Sequence, residues 1–435
     1  MGLDLLFGFL QPLYDGTLIR GLIDLFRTLP YWGPFVFGVL FWRFWIKYKR
    51  AEFIQSQKYV LLEIKLPREI LRSPKAMELA LTNLHNGSGE STWWDRYVKG
   101  KVRPWFSLEI ASIEGAIHFY VWTREQFRNV VEAALYSQYP GIEISEVPDY
   151  TDAFPYFDYH QMTIWVCNFE LKKKSSKTKK KLNAYPIKTY VDYELDKDPK
   201  EEFKVDPLTT VLEYISMIGK GEQVWMQFLI QVHQDGPVEE SNILSFFRGE
   251  FGLGSDTDMR KEGPEAIAEF RESLMEAPSI EGGIRYSKIP TKGEAEIFAA
   301  IERKLSKPLF DFGMRMAYVA KPENFQGSRI SGYVQIMKPF YTRNMNSIGF
   351  KSDSNINDFP WQDYNQIRAN KLRKKMLAAY RARGWFHPPH KKYKAGVLST
   401  EELATIWHFP GATAATPGIV RTMAKKMEAP DNLPR

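Results

Sequence analysis

Seven lysines crowd residues 172–181 of this 435-residue chain, with Ser175 and Ser176 among them. Lys172, Lys173, Lys174, Lys177, Lys179, Lys180 and Lys181 could bind phosphate groups, either those of an anionic lipid surface or those of a nucleic acid. A solvated loop is the plain alternative. A second cluster holds Arg368, Lys371, Arg373, Lys374, Lys375, Arg381, Arg383, Lys391, Lys392 and Lys394, with no acid between Asp363 and Glu401. Tyr364, Tyr380, Trp385, Phe386 and Tyr393 interleave with that charge. Such patches are electrostatic footprints without being readers of sequence, so the expected partner is an acidic protein surface or a nucleic acid. The net charge of +7 is modest, and its concentration in these two places carries the information.

Nothing comparable supports catalysis. A nucleotide-binding P-loop needs G-x-x-x-x-G-K-[ST], because backbone amides, a lysine and a hydroxyl must together surround the phosphates and Mg²⁺. Gly219-Lys220-Gly221 lacks the Ser or Thr, Gly249, Gly252 and Gly254 lack the lysine, and Gly87-Ser88-Gly89 follows a helical pattern instead of preceding one. Each reads as a turn. His387 and His390 are separated by two prolines, which prevents a helical pair of metal ligands. The single Cys167 sits on a strand pattern, excludes a disulfide framework and suits a reducing compartment. His118 and His233 lie on apolar strands, and Glu143, Glu146 and Asp149 read as a solvated strand end. No catalytic, cofactor or metal site is expected.

Two α+β units are expected to position the basic clusters. In residues 51–150, strands at 58–66, 105–112, 116–122 and 141–147 alternate with two helices. Ser73 and Pro74 open the first helix, and Thr123 and Gln126 have the spacing to cap the second. This β-α-β-β-α-β order is the ferredoxin-like one. Residues 151–340 read as a looser copy. Its strands are expected at 161–171, 184–193, 224–232 and 310–318, its helices at 207–218, 297–305 and 328–338, with an insertion near 235–290. Residues 341–435 form a basic tail. A helix over 361–383 carries the apolar stripe of Leu372, Met376, Ala379 and Tyr380, and Ser399 with Glu402 caps a short helix.

Before these units, residues 28–46 carry no charge between Arg27 and Arg43. About 20 apolar residues cross a bilayer, and indoles prefer its boundaries. Trp32, Phe35, Phe37, Leu40, Trp42, Arg43 and Trp45 therefore read as a transmembrane anchor in contact with membrane lipid, over about residues 28–50. Lys47, Lys49 and Arg50 would mark the cytoplasmic side. Residues 1–27 read as an amphipathic interfacial segment. The expected fold class is α+β: a transmembrane helix, two ferredoxin-like domains and a basic helical tail.

Segments such as YVLLEIKLPREI (59–70), WFSLEIASIEGAIHFYVWT (105–123), FRNVVEAALYSQYPGIEISEVPDY (127–150), GEQVWMQFLIQ (221–231) and LSTEELATIWHFPG (398–411) carry a resemblance. They resemble the membrane-anchored N-terminal halves of conjugative, type IV secretion-like transfer ATPases of the FtsK/HerA class. In that family the stretch similar to 398–434 leads into an ATPase domain with Walker motifs, which do not occur here. The resemblance thus implies a non-catalytic component of a bacterial DNA- or protein-transfer machine. It implies an inner-membrane location with the bulk of the chain cytoplasmic, and a separately encoded or lost FtsK/HerA-class ring ATPase. It also implies homo-oligomers or ring-matched copies, with DNA as a further partner. A tethered nucleic-acid-binding protein acting without an ATPase is the other expectation.

Overall fold

The computed structural model describes residues 17–67, 70, 72–87, 92–154, 161–175, 178–197, 205–235, 257–275, 290–351, 361, 363–391, 393–411 and 418–421. The first sixteen residues, most of the insertion near 235–290, Lys177, Lys392 and the C-terminal end lie outside the described residues. Two compact units emerge, residues 1–56 with 90–102, and residues 57–89 with 103–435.

In the first unit a long helix, α1, spans Thr17–Ser56, and residues Trp93–Tyr97 form a short helix of five residues. The 40 residues of α1 are long enough for a bilayer, but Pro30 and Pro34 lie inside the helix, and Tyr31, Trp32, Gly33 and Gly38 dilute its apolar run. Among the described residues no helix is long and apolar enough to cross a membrane. The transmembrane anchor, and with it the single-pass inner-membrane location, is corrected on that finding. The aromatic residues that suggested a lipid boundary have protein neighbours. The Trp45 indole donates to the Tyr97 carbonyl at 3.1 Å, and Trp42 lies 5.6 Å from the Tyr97 ring. The Trp32 indole donates to Thr28 within the helix, while Arg43 is half-buried and Phe35, Phe37 and Leu40 are exposed. Gly100 permits the close return of the 93–102 segment. Its φ is +65°, and a Cβ there would lie 2.4 Å from the Lys49 carbonyl.

The second unit is built on one antiparallel sheet of nine strands. These are β1 (Tyr59–Lys65), β2 (Trp105–Ile113), β3 (Ala116–Arg124), β4 (Glu143–Glu146), β5 (Thr163–Leu171), β6 (Glu222–Val232), β7 (Leu309–Ala320), β8 (Ile348–Lys351) and β9 (Gly396–Ser399). Their order is β4-β1-β3-β2-β6-β7-β5-β8, with β9 also on β7. The expectation of two ferredoxin-like domains is therefore corrected. β2 and β6 pair along their length, from Trp105↔Gln231 to Ile113↔Gln223, and fuse the two halves. An unpaired edge in each half would leave a row of backbone donors and acceptors open; pairing the two edges removes both. The halves are ordered alike about this seam, β4-β1-β3-β2 on one side and β8-β5-β7-β6 on the other.

Strand alternation splits the sheet into two faces. Val224, Met226, Phe228 and Ile230 of β6 share one face with Phe106 and Leu108 of β2 and with Phe310, Met314 and Met316 of β7 in a single core. The helices α2 (Pro74–Asn83), α3 (Arg128–Gln138) and α4 (Pro207–Ser216) give Met77, Leu81, Val131, Leu135, Val211 and Leu212 to that core. Asp206 caps α4 through the Leu208 amide, whereas Thr123 and Gln126 form no capping box at α3. Two further helices, α5 (Met259–Met275) and α6 (Lys292–Leu305), contribute to a satellite core with Leu182, Tyr185 and Val397.

Three expected elements differ. Residues 184–193 form no strand. Pro186 interrupts the pattern, and the amides of Ala184, Ile187 and Tyr190 are taken by Glu262, Glu402 and Thr405 side chains at 2.9, 2.9 and 3.0 Å. The expected helix at 328–338 is α7 (Arg329–Val334) followed by a 3₁₀ turn at Lys338–Phe340. The basic helix, α8, begins only at Ile367 and ends at Arg381, because Asp363 accepts from the Arg368 and Ala369 amides at 2.8 and 2.7 Å. Ser399 and Glu402 do form a capping box, at the start of α9 (Thr400–Ile406).

Candidate anion-binding cleft

The second face of the sheet is polar yet buried, so its groups must find partners inside the protein. Glu109 of β2, Gln227 of β6 and Arg315 of β7 are nearly inaccessible. They are covered by the chain that follows α8. The Arg383 guanidinium donates to both Glu109 carboxylate oxygens, at 3.0 and 3.2 Å, and to Asp149. Tyr150 donates to Glu109 at 2.7 Å and lies 2.9 Å from the Tyr380 hydroxyl. Gln227 donates to Glu109 and to the Tyr380 carbonyl, and Arg315 donates to Asn168 and to the Gly384 carbonyl. Burial lowers the Arg383 guanidinium, but the charges of Glu109 and Asp149 outweigh it and hold its pKa well above the usual value. This network fixes α8 and the turn after it against the sheet.

The basic tail is thereby sorted into two populations. Arg383 is internal, Arg381 pairs with Asp152 at 2.8 Å, and Arg373 is half-buried and donates to Gln366 and Asn370. Arg368, Lys371, Lys374 and Lys375 are exposed along the opposite side of α8, whose Ala369, Leu377 and Tyr380 are buried. Trp361 and Tyr364, 78% and 80% exposed, precede that cationic side.

The lysine-rich loop is a tied hairpin. Lys174 bridges to Lys181, and the Ser175 amide donates to the Lys180 carbonyl at 2.8 Å. Lys173 is half-buried over the Tyr185 ring, while Lys172, Lys174, Lys179, Lys180 and Lys181 are exposed. The ammonium groups of Lys172, Lys181 and Lys351 all contact the Glu170 carboxylate. Burial raises the Glu170 carboxyl, but hydrogen bonds from those three lysines hold it down at about 2.

A cleft of about 400 Å³ opens beside this hairpin, within the usual range for small-ligand sites. Its origin is a break in strand pairing. β5 pairs β7 only as far as Phe169↔Met314, and β9 takes up the same edge at Gly396↔Phe312. Gly313 falls between the two ladders, and a Cβ on it would sit 2.4 Å from the Trp385 indole. Phe169, Leu171, Phe312 and Trp385 line the cleft with Lys180, Lys181, Lys351, Tyr393 and Lys394. The two clusters that the sequence separates thus meet at one opening. Sequence reasoning missed Glu170, Lys351 and Gly313; the lone acid just before a lysine run was the available signal.

The other titratable candidates are structural. Cys167 is buried in the apolar core, and burial pushes its thiol well above the usual range. His118 contacts Glu63 at 2.7 Å. Among the described residues no cluster of His, Cys, Asp or Glu is arranged to hold a metal. His233 is enclosed by Asp311 at 2.7 Å and Asp235 at 3.1 Å, and Asp235 also accepts from the Met259 amide that begins α5. Burial lowers the imidazole, but the hydrogen bonds and charge of Asp311 and Asp235 leave it raised above its ordinary 6.5. Its stabilising effect is complete below about 6.5 and is lost as pH rises through the higher folded value. The stability difference between the native protein and His233→Gln, followed by urea unfolding from about pH 5 to about pH 9, should therefore shrink toward alkaline pH. A difference constant across that range would contradict this.

A search of curated proteins finds no match to the chain. A family model, in contrast, aligns with residues 47–422. That span takes in the last part of α1, all nine strands, the Glu109–Arg383 network and the cleft. On that coverage, the chain belongs to the family described as Domain of unknown function (DUF8128).

Proposed function

We propose that this chain is a non-catalytic docking scaffold of a DNA- or protein-transfer machine, which positions a ring ATPase by that ATPase's acidic surface. The observation that supports this reading is the rigid mounting of α8. Buried Arg383 and Tyr380 lock one side to the sheet, while Lys371, Lys374 and Lys375 face solvent on a helix that the exposed Trp361 and Tyr364 precede in the chain. Mixed aromatic and cationic surface is typical of interface hot spots. The sequence resemblance supplies the class of partner, and the lack of any P-loop pattern supports a role without ATP turnover.

Direct nucleic-acid binding by the same face is the second reading, favoured by those two exposed aromatic side chains, on which bases could stack. Lys371→Glu/Lys374→Glu/Lys375→Glu separates the readings. Arg373 is left intact because its contacts lie within the helix. Under the scaffold reading, the triple variant loses co-purification with the ATPase from native cells. Under the second, affinity for single-stranded DNA falls and its salt slope flattens by about 2, since each of three lost phosphate contacts removes about 0.7 from it. Retention of both partners by the variant would refute both readings.

A further inference from the structure

We propose that the outward stripe of α1 is a seam at which two copies of this chain pair, with their α1 helices parallel. Phe37, Phe41, Phe44 and Tyr48 recur at alternating steps of four and three residues, and each is 62–68% exposed. That spacing approaches the repeat of about 3.5 residues that keeps a seam facing a partner helix. The stripe lies opposite the covered side of α1, where Ile46 and Arg50 are buried and Trp42 meets Tyr97. Pro30 and Pro34 hold the two preceding positions of the same spacing, so the aromatic seam begins at Phe37. An aromatic ring presents about 200 Å², so four rings two-thirds exposed offer on the order of 500 Å² per copy. A pair would remove on the order of 1,000 Å² from water, which reaches the size a specific interface needs.

Charge favours a second copy over a lipid surface, and one orientation over the other. In a parallel pair, a residue flanking the seam faces the residue five places further along the other helix. Lys47 then faces Glu52 of the second copy, and the symmetry of the pair makes that contact twice. Both residues are exposed, and Glu52 engages Lys49 of its own helix through only one carboxylate oxygen. One heptad earlier the same rule sets Leu40 against Trp45 of the second copy, an apolar match. An antiparallel pair that meshed the same rings would place Lys47 across from Gly38 and lose the charge pairing. An anionic lipid surface would repel Glu52. The inference goes beyond the docking role and uses no residue of α8, so failure of the seam and failure of partner docking are read separately.

The test is sedimentation equilibrium of the full chain, which should show a monomer–dimer equilibrium. Phe37→Ala/Phe44→Ala should weaken the dimer about tenfold or more. Both rings are exposed and alanine is the strongest helix former, so the circular dichroism of the variant should match that of the native protein. Lys47→Glu and Glu52→Lys should each weaken self-association several-fold. An equimolar mixture of those two variants should restore it, because only unlike copies then carry opposite charges at both flanking positions. The proposal is overturned if the native chain is monomeric at its highest soluble concentration, or if the dimer is undiminished in the phenylalanine variant. A mixture that associates no better than either charge variant alone overturns it as well. So does a monomer that binds phosphatidylglycerol vesicles through the same phenylalanines, a result that would assign the stripe to lipid.

Discussion

Replacing Arg383 with Met is expected to destabilise the protein by about 3–5 kcal/mol, the range seen when one partner of a buried ion pair is removed. The Arg383 and Glu109 side chains are 1% and 0% exposed, so the Glu109 charge would be left without water or a cation. Tyr150 and Gln227 would still donate to it, but neither supplies charge. Urea unfolding followed by tryptophan fluorescence measures the loss. The companion Glu109→Gln/Arg383→Met should recover part of it, because the stranded charge is then gone and the volume is roughly kept. A single variant within about 1 kcal/mol of the native protein would show that the network contributes little. Since Arg383 follows directly on α8, the variant should also raise hydrogen exchange throughout that helix.

The second large effect is expected at Glu402. Its carboxylate lies 3.0 Å from the Lys304 ammonium, both side chains being 1% exposed. It also accepts from the Ile187 and Ser399 amides, at 2.9 and 2.8 Å. Glu402→Ala strands a buried lysine and two backbone donors together, so a loss of about 3–5 kcal/mol is expected. Glu402→Gln keeps an acceptor oxygen for the amides and should cost less. Exchange of the Ile187 amide gives a local readout, because that segment has no strand ladder to protect it. An unchanged exchange rate in Glu402→Ala would argue against this account.

How much of this was legible in the sequence follows from the range of each interaction. Alternation in Val224–Val232 and Phe310–Tyr318 located β6 and β7, and Pro207 after Asp206 located α4, because those signals are local. Strand pairing across the two halves was not legible. Nothing in Trp105–Ile113 says whether its free edge meets water or Glu222–Val232. The polar positions misled for a related reason. Glu109, Gln227 and Gln231 alternate with apolar residues just as solvent-facing ones do, and only the chain after α8 buries them. Arg383 lies in a run of cations and its partner Glu109 is 274 residues away, so composition could not separate it from Lys374 or Lys375. Likewise Trp42 and Trp45 match the residue types of a lipid boundary, but it is Tyr97 that meets them. Both lysine-rich clusters were visible as charge; that they share one opening depends on β9 joining β7, a pairing without a local signature.

The seam between β2 and β6 has a thermodynamic consequence. Two sheets with the same strand order, joined through corresponding edge strands, have the geometry of a dimer whose subunits are continuous in one chain. In separate molecules such a ladder would compete with dilution, and its occupancy would follow protein concentration. Here covalent continuity fixes the effective concentration of one half beside the other at the level set by the connecting segment. The seam therefore stays closed however scarce the protein is in the cell, and the end of α8 with the turn after it, which bonds to β6 through Tyr380 and to β2 through Arg383, acts as a second tether across it.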